Sequence, residues 1–188
     1  DRGTVNICGQ SMEKQPNQIR SYIGLVGHSP MLYSGMSGLE NLTFFGRMFR
    51  IGSLNNRILE TADKLGISRI LDRKVGNMSH GMQKRVAIAR ALNMSPKIML
   101  FDEVTSALDP ELVEEVQIVL RQLAEETDMT MLFVTHEMHF AHEIADRVLF
   151  FDGGQIVEEG PPGEIFKNPK HERTQAFLRK IVAAGISL

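Results

Sequence analysis

The sequence predicts an α/β fold in which helices flank a parallel sheet. Four apolar residues, Ile98 to Phe101, have the length of a short buried strand, and two carboxylates, Asp102 and Glu103, follow it directly. Residues 110–126 have the spacing of an amphipathic helix, and residues 129–134 read as a second buried strand. Strands that alternate with helices pair in parallel, and ligands bind at the carboxyl edge of such a sheet.

Composition sets limits on the class of protein. The chain has 188 residues, 43% apolar and 23% charged, which fits one globular domain. The net charge of −2 gives no argument for nucleic-acid binding. Cys8 is the only cysteine, so no internal disulfide can form and a reducing compartment is expected. No apolar run approaches the roughly 18 residues that span a bilayer, and no signal-peptide pattern opens the chain. We therefore expect any membrane role to depend on a partner.

Asp102 and Glu103 are the residue types that phosphoryl transfer uses at a sheet edge. Because Mg²⁺ prefers oxygen ligands and keeps several waters, Asp102 is predicted to hold Mg²⁺ through water. Glu103 is predicted to take a proton from the attacking water. The alternative is a strand that simply ends in two acidic residues, which the Asp-Glu pair alone does not exclude. Asp109 and Pro110 then fit the N-cap and first position of the next helix.

The segment from Ser79 to Gln83 precedes a helix predicted for residues 83–94. Ser79 is expected near its N-terminus, where free N–H groups and the helix dipole favour an anion. Gly81 is expected to let the backbone approach a phosphate closely. The alternative is that Ser79 is only an N-cap serine.

Two histidines follow predicted strands. His28 comes after a strand at residues 23–27, and His136 after the strand at 129–134. A neutral imidazole can ligate through one nitrogen, so His28 is a candidate Mg²⁺ ligand. The alternative is a loop histidine without that role. His136 is expected at the same sheet edge as Glu103, where it can bridge a γ-phosphate and the catalytic carboxylate.

In this order and spacing, these motifs resemble the nucleotide-binding subunit of ATP-binding-cassette (ABC) transporters. Asp102-Glu103 resembles the Walker B end, and Ser79 to Gln83 the signature loop, although Met78, His80 and Met82 depart from the usual Leu-Ser-Gly-Gly-Gln. Ser106 to Asp109 resembles the D-loop. His136 stands at the switch histidine, and His28 where the family usually has the Q-loop glutamine. The resemblance implies catalytic roles for Glu103 and His136, nucleotide contacts for Ser79, Gly81, Gln83, Asp109 and His28, and Mg²⁺ contacts for Asp102 and His28.

The resemblance also implies a P-loop NTPase-type parallel sheet core flanked by helices. Residues 1–188 are then a single, partial ABC domain, with a helical subdomain inserted at about 36–94. A Ser37–Glu40 capping box opens that region's first helix, which runs to about Phe49. Its Phe and Met residues either face the core or form a surface for a membrane subunit, and both remain open. No Gly-Lys dipeptide occurs, so the P-loop is missing. We expect an N-terminally truncated chain that is inactive alone.

From Ile98 to Ile181 the chain is similar to polar-amino-acid importer ATPases, notably at residues 156–162 and 168–174. Residues 1 to about 92 look more like exporter-type or haem-exporter-type subunits. The resemblance implies an ATPase that powers the import of polar amino acids, with ATP and Mg²⁺ as cofactors. The alternatives are an exporter-type ATPase and a catalytically incomplete binding or regulatory protein. The implied partners are a transmembrane permease, a second ATP-binding subunit and a solute-binding protein, with no nucleic acid. The implied location is cytoplasmic, peripheral on the inner face of the cell membrane.

Overall fold

The computed structural model describes residues 3–106 and 108–183. The strands are β1 Asn6–Ile7, β2 Gln10–Ser11, β3 Ile23–Val26, β4 Ile98–Asp102, β5 Thr130–Val134, β6 Val148–Asp152 and β7 Gln155–Gly160. The helices are α1 Pro16–Tyr22, α2 Gly38–Met48, α3 Leu54–Lys64, α4 His80–Leu92, α5 Pro110–Glu126, α6 Met138–Ile144, α7 Pro162–Lys167 and α8 Glu172–Ala183. Two short 3-10 helices, Ser68–Ile70 and Val75–Asn77, lie between α3 and α4. The chain forms two compact units, of which the first ends at Val134 and the second begins at Thr135.

The first unit is built on a three-stranded parallel sheet in the order β3-β4-β5. In the central strand, Phe101 pairs with Val26 of β3 on one side and with Phe133 of β5 on the other. The Phe101 and Phe133 rings stack at 4.7 Å between centroids. This arrangement confirms the predicted parallel sheet flanked by helices, and it places the ends of β4 and β5 at one edge.

Helix α4 is buried along its length. Val86, Ile88 and Ala89 have no exposed surface, as their spacing predicts. The helix begins at His80, three residues before the predicted start at Gln83. The reason is a cap: the Ser79 hydroxyl accepts a hydrogen bond from the Met82 N–H at 3.2 Å and so starts the helix one turn earlier.

Helices α2, α3 and α4 pack together. The predicted capping box at the start of α2 is confirmed, because Glu40 N–H donates to the Ser37 hydroxyl at 3.1 Å and Ser37 N–H donates to the Glu40 carboxylate at 2.6 Å. One side of α2 faces the core, with Leu42 1% exposed. The other side leaves Phe44, Met48 and Phe49 between 40% and 54% exposed. Part of the helix therefore faces the core, and a surface for a membrane subunit stays a prediction for the exposed residues.

The N-terminal segment differs from the sequence prediction. The run from Thr4 to Cys8, which lies between two glycines, predicts a strand, but the observed strand covers only Asn6–Ile7 and forms a short antiparallel hairpin with Gln10–Ser11. The chain reverses at Cys8 and Gly9, both with positive φ. Helix α1 was not predicted, because its only buried residue is Ile19 and so it shows no helical repeat of apolar residues.

The second unit contains an antiparallel hairpin of β6 and β7 and three short helices. Asp152-Gly153-Gly154 is a hairpin turn signal in the sequence, and it forms the turn between β6 and β7, where Gly153 and Gly154 have φ of 58° and 79°. The core of this unit is formed by Met138, Phe166 and Leu178, one from each of α6, α7 and α8.

Candidate functional site

A cleft of about 270 Å³ lies in the first unit, where three parts of the chain meet. They are the loop after β3, the first turns of α4 and the turn after β4. The cleft is lined by His28, His80, Gln83, Lys84, Ser106 and Leu108, among others. The structure therefore brings two predicted site residues, His28 and Gln83, to the turn that follows Asp102 and Glu103.

Asp102 and Glu103 lie at the carboxyl end of β4, as predicted. Asp102 is exposed and pairs with Val134, the last residue of β5. Glu103 has φ of +51°, and its N–H donates to the Val134 carbonyl at 2.9 Å. A left-handed backbone at a residue with a side chain costs roughly 1–3 kcal/mol and is found preferentially at functional sites. The turn that carries Glu103 is thus held in one conformation against the end of the neighbouring strand.

His28 contacts this turn through Ser106. The His28 Nδ1 lies 2.6 Å from the Ser106 hydroxyl, and that hydroxyl donates to the Glu103 carbonyl at 2.5 Å. His28 itself is exposed. The sequence predicted His28 and Glu103 separately, and it did not predict the hydroxyl that joins them.

Lys84 is a cleft residue that sequence reasoning missed. Its side chain is almost fully buried, and Nζ donates to the carbonyls of Gly27 at 2.9 Å and His28 at 2.5 Å. Burial lowers the pKa of Lys84 below the usual lysine value. A signal was available: Lys84 is four residues before Ile88, so it lies on the inward stripe of α4, where a charged residue is rare.

The structure corrects the prediction that Ser79 to Gln83 forms a loop. Ser79 is the N-cap of α4, and residues 80–83 form its first turn. A Cβ added at Gly81 would lie 3.2 Å from Leu112 Cδ2, so this glycine lets α4 approach α5 closely. The Gln83 side-chain amide donates to the carbonyls of Val75 and Met78 at 3.2 and 3.1 Å. These contacts are structural, and the nucleotide contacts of Ser79, Gly81 and Gln83 stay predictions.

Two further predicted residues lie outside the cleft lining. Asp109 occupies the N-cap position of α5 with Pro110 after it, as predicted, and its side chain makes no capping hydrogen bond. Ala107, in the predicted D-loop, lies outside the described residues. His136 belongs to the second unit, where its Nε2 lies 3.8 Å from the Glu137 carboxylate. The roles of Asp109 toward nucleotide and of His136 toward Glu103 stay predictions.

The arrangement of potential metal-binding side chains limits the kind of metal site that this chain can form. In residues 3–106 and 108–183, no three His, Cys, Asp or Glu side chains converge into a metal site. Mg²⁺ is usually held by one or two carboxylates and completes its shell with waters and phosphate oxygens. The exposed Asp102 carboxylate at the sheet edge fits this kind of binding. No helix in this described part of the chain is both long and apolar enough to cross a bilayer.

Comparison with known proteins relates this chain to one protein family. The ABC transporter family model matches residues 1–106. The chain is 50% identical to the glutamine transport ATP-binding protein GlnQ of Geobacillus stearothermophilus, over 88% of the chain and 69% of that protein. It is 48% identical to a probable amino-acid ABC transporter ATP-binding protein of Sinorhizobium fredii, over 90% of the chain and 67% of that protein.

A solved structure gives the same result at the level of the fold. The structure of cbiO1 from Clostridium perfringens, part of the ABC transporter complex cbiONQ, superposes with a TM-score of 0.80. It covers 98% of this chain and 76% of its own, at 25% sequence identity. The family model, the relatives and the solved structure all indicate the same family. The chain therefore belongs to the ABC transporter family and is one of its ATP-binding, ATP-hydrolysing subunits.

Proposed function

We propose that this chain powers the import of polar amino acids by binding and hydrolysing ATP in a dimer of ATP-binding subunits. The observation that carries the proposal is the convergence of three elements at one cleft: the His28 loop, the capped start of α4 and the turn that holds Glu103. Relatives that align over most of the chain are glutamine and general amino-acid transport ATP-binding proteins, which supports the substrate class.

Each site residue has a proposed role. Glu103 is the general base for the attacking water, and Asp102 holds Mg²⁺ through its exposed carboxylate. His28 reaches the same metal or its water from the loop after β3. Ser79, Gly81, Gln83 and Asp109 contact nucleotide, with the first three acting at the positive end of α4. His136 is the proposed catalytic histidine that contacts the γ-phosphate. Mg²⁺ supplies charge neutralisation for the phosphates when it is bound.

The proposed membrane partner is a permease that binds the exposed side of α2. This surface comprises Phe44, Met48 and Phe49, with Tyr33 packed edge-on against Phe44 at 5.3 Å. Flexible and aromatic apolar side chains suit adaptable docking. Residues of about 36–94 then act as a helical subdomain that carries this surface, and the subunit is peripheral on the inner face of the membrane. A solute-binding protein completes the system.

The proposal is tested by Glu103→Gln in the assembled transporter. Hydrolysis is expected to fall by roughly 10²–10⁴, the usual contribution of a positioned acid–base group, while ATP binding is retained. Glu111→Gln, an exposed carboxylate in the first turn of α5, is the matched control and keeps the wild-type rate. Near-normal turnover in Glu103→Gln contradicts the assignment. ATPase stimulation by polar amino acids, and not by other solutes, tests the substrate class.

A further inference from the structure

Four groups from three parts of the chain form a continuous chain of hydrogen bonds at the cleft. Lys84 Nζ donates to the carbonyl of His28, the His28 Nδ1 contacts the Ser106 hydroxyl, and that hydroxyl donates to the Glu103 carbonyl. The residues joined in this way lie 56 and 78 positions apart in sequence. The His28 ring is therefore fixed both at its backbone and at one ring nitrogen.

The direction of these hydrogen bonds decides which ring nitrogen carries the proton. A carbonyl oxygen can only accept, so the single Ser106 proton is used at Glu103. With that proton committed, the Ser106 oxygen offers only lone pairs to His28, at a distance of 2.6 Å. His28 Nδ1 must then donate its own proton. In the neutral ring, this leaves Nε2 without a proton and able to accept or to ligate.

We propose that Ser106 and Lys84 are positioning residues that hold neutral His28 as its Nδ1–H tautomer, presenting the Nε2 lone pair to the nucleotide's Mg²⁺ or to a water bound to it. This inference rests on the proposed function only for the identity of the ligand. The tautomer itself is a property of the chain without nucleotide. Nε2 is the nitrogen that Ser106 leaves unengaged, and the His28 ring lines the cleft.

Lys84 contributes by fixing the peptide that carries His28. Its Nζ donates to two successive carbonyls, those of Gly27 and His28, from a helix that is itself buried. Removal of this donor leaves both carbonyls without their present partner and frees the loop to move away from Ser106.

Histidine tautomers can be measured directly, without nucleotide. The chain is labelled with ¹⁵N-histidine, and long-range ¹H–¹⁵N spectra are recorded in alkaline buffer, where histidine rings are neutral. His28→Gln identifies the signals of His28 among the six histidines. The wild type is expected to show His28 in the Nδ1–H pattern.

Two variants test the positioning roles. Ser106→Ala removes the acceptor, so the Nδ1–H pattern is expected to be lost in favour of the Nε2–H form. Lys84→Met is expected to give a mixture, and Lys84→Arg, which keeps a buried donor, to restore the Nδ1–H form. The matched control is Ser21→Ala: Ser21 also donates to the carbonyl three residues earlier, Gln18, but does not contact a histidine. Its spectrum is expected to match the wild type.

The outcomes separate this inference from the proposed function. An Nε2–H pattern in the wild type, or an unchanged pattern in Ser106→Ala, overturns the tautomer assignment. If Lys84→Met does not fold, Ser106→Ala decides alone. A correct tautomer together with failure of ATP to bind leaves the positioning roles standing and rejects the nucleotide site. Loss of the pattern in Ser21→Ala also overturns the inference, since the effect would not be specific to the Ser106 contact.

Discussion

The two compact units offer two kinds of charged contact for comparison: cations of the first unit that donate to backbone carbonyls, and exposed ion pairs of the second unit. In the first unit, two cations on α4 donate to backbone carbonyls: the buried Lys84 to Gly27 and His28, and the half-buried Arg90 to Leu25 and Met31. In the second unit, Arg173 meets the Asp152 carboxylate at 2.6 Å with both side chains well exposed. Lys170 and Glu164 form a similar exposed pair at 3.3 Å.

The two kinds of contact differ in what they cost and in what they contribute to the structure. Burial lowers the pKa of both Lys84 and Arg90, so placing them there has a desolvation cost that the carbonyl contacts must offset. Together the two cations fix residues 25–31, the segment that runs from the sheet past the cleft. An exposed ion pair avoids that cost, but water and salt screen it and it contributes little. The two cations that hold residues 25–31 beside the cleft, Lys84 and Arg90, therefore do so by donating to backbone carbonyls.

The largest loss of stability is expected when a buried phenylalanine of the first unit, rather than an exposed one of the second unit, is replaced by alanine. Phe101→Ala removes a fully buried ring that stacks on Phe133, and it should lower the free energy of unfolding by about 3–5 kcal/mol. Phe151 in the second unit is 62% exposed, so Phe151→Ala should change it by about 0.5 kcal/mol or less. Denaturant titration of both variants measures the contrast. Equal losses of stability in Phe101→Ala and Phe151→Ala would contradict the expectation that burial decides the size of the effect.

A smaller effect is expected for Lys84→Met. This change leaves two carbonyls without their present donor and should cost about 1–3 kcal/mol near neutral pH, measured by urea unfolding. Lys64→Met, which removes only an exposed contact with Glu126, serves as the control. A Lys84 loss no larger than that of Lys64 would remove the distinction between buried and exposed cations.

Lys84→Met is also expected to change how the free energy of unfolding depends on pH. Because the folded pKa of Lys84 is lowered, the unfolded chain binds more protons in the range just below the usual value of 10.5. The pH-dependent part of the Lys84 contribution is therefore full above 10.5 and disappears as pH falls through the lowered folded value, while the contacts with the Gly27 and His28 carbonyls still contribute at neutral pH. The difference in unfolding free energy between wild type and Lys84→Met should widen as pH rises toward 10.5. If the difference narrows instead, the folded pKa of Lys84 is raised and the expected direction of the shift is wrong.

The smallest effect is expected for the exposed pair of the second unit. Arg173→Ala should cost about 0.2–1 kcal/mol, and the loss should shrink in high salt because exposed charges are screened. Thermal unfolding at low and high salt gives both values. A salt-independent loss above about 2 kcal/mol would show that this pair acts like a buried contact.

Much of the site follows from its place at strand ends. Asp102, Glu103 and His28 were predicted because each directly follows an apolar run, and chain order alone puts such residues at the carboxyl edge of a parallel sheet. Ser79 was predicted near the start of a helix, and it caps that helix. Lys84 and Ser106 were not predicted as site residues. Their partners are distant groups, which no local spacing in the sequence reveals.

The sequence by itself determined the parallel sheet, the amphipathic helices and the family, because periodicity and motif order are local and survive without coordinates. Tertiary structure alone decided that α4 starts at His80, that Gly81 lies close to Leu112, and that Lys84 is buried against the His28 loop. It also decided that the Ser106 hydroxyl lies within hydrogen-bond distance of both the His28 ring and the Glu103 carbonyl. These features depend on which atoms come within about 3 Å across distant parts of the chain, and only packing fixes such distances.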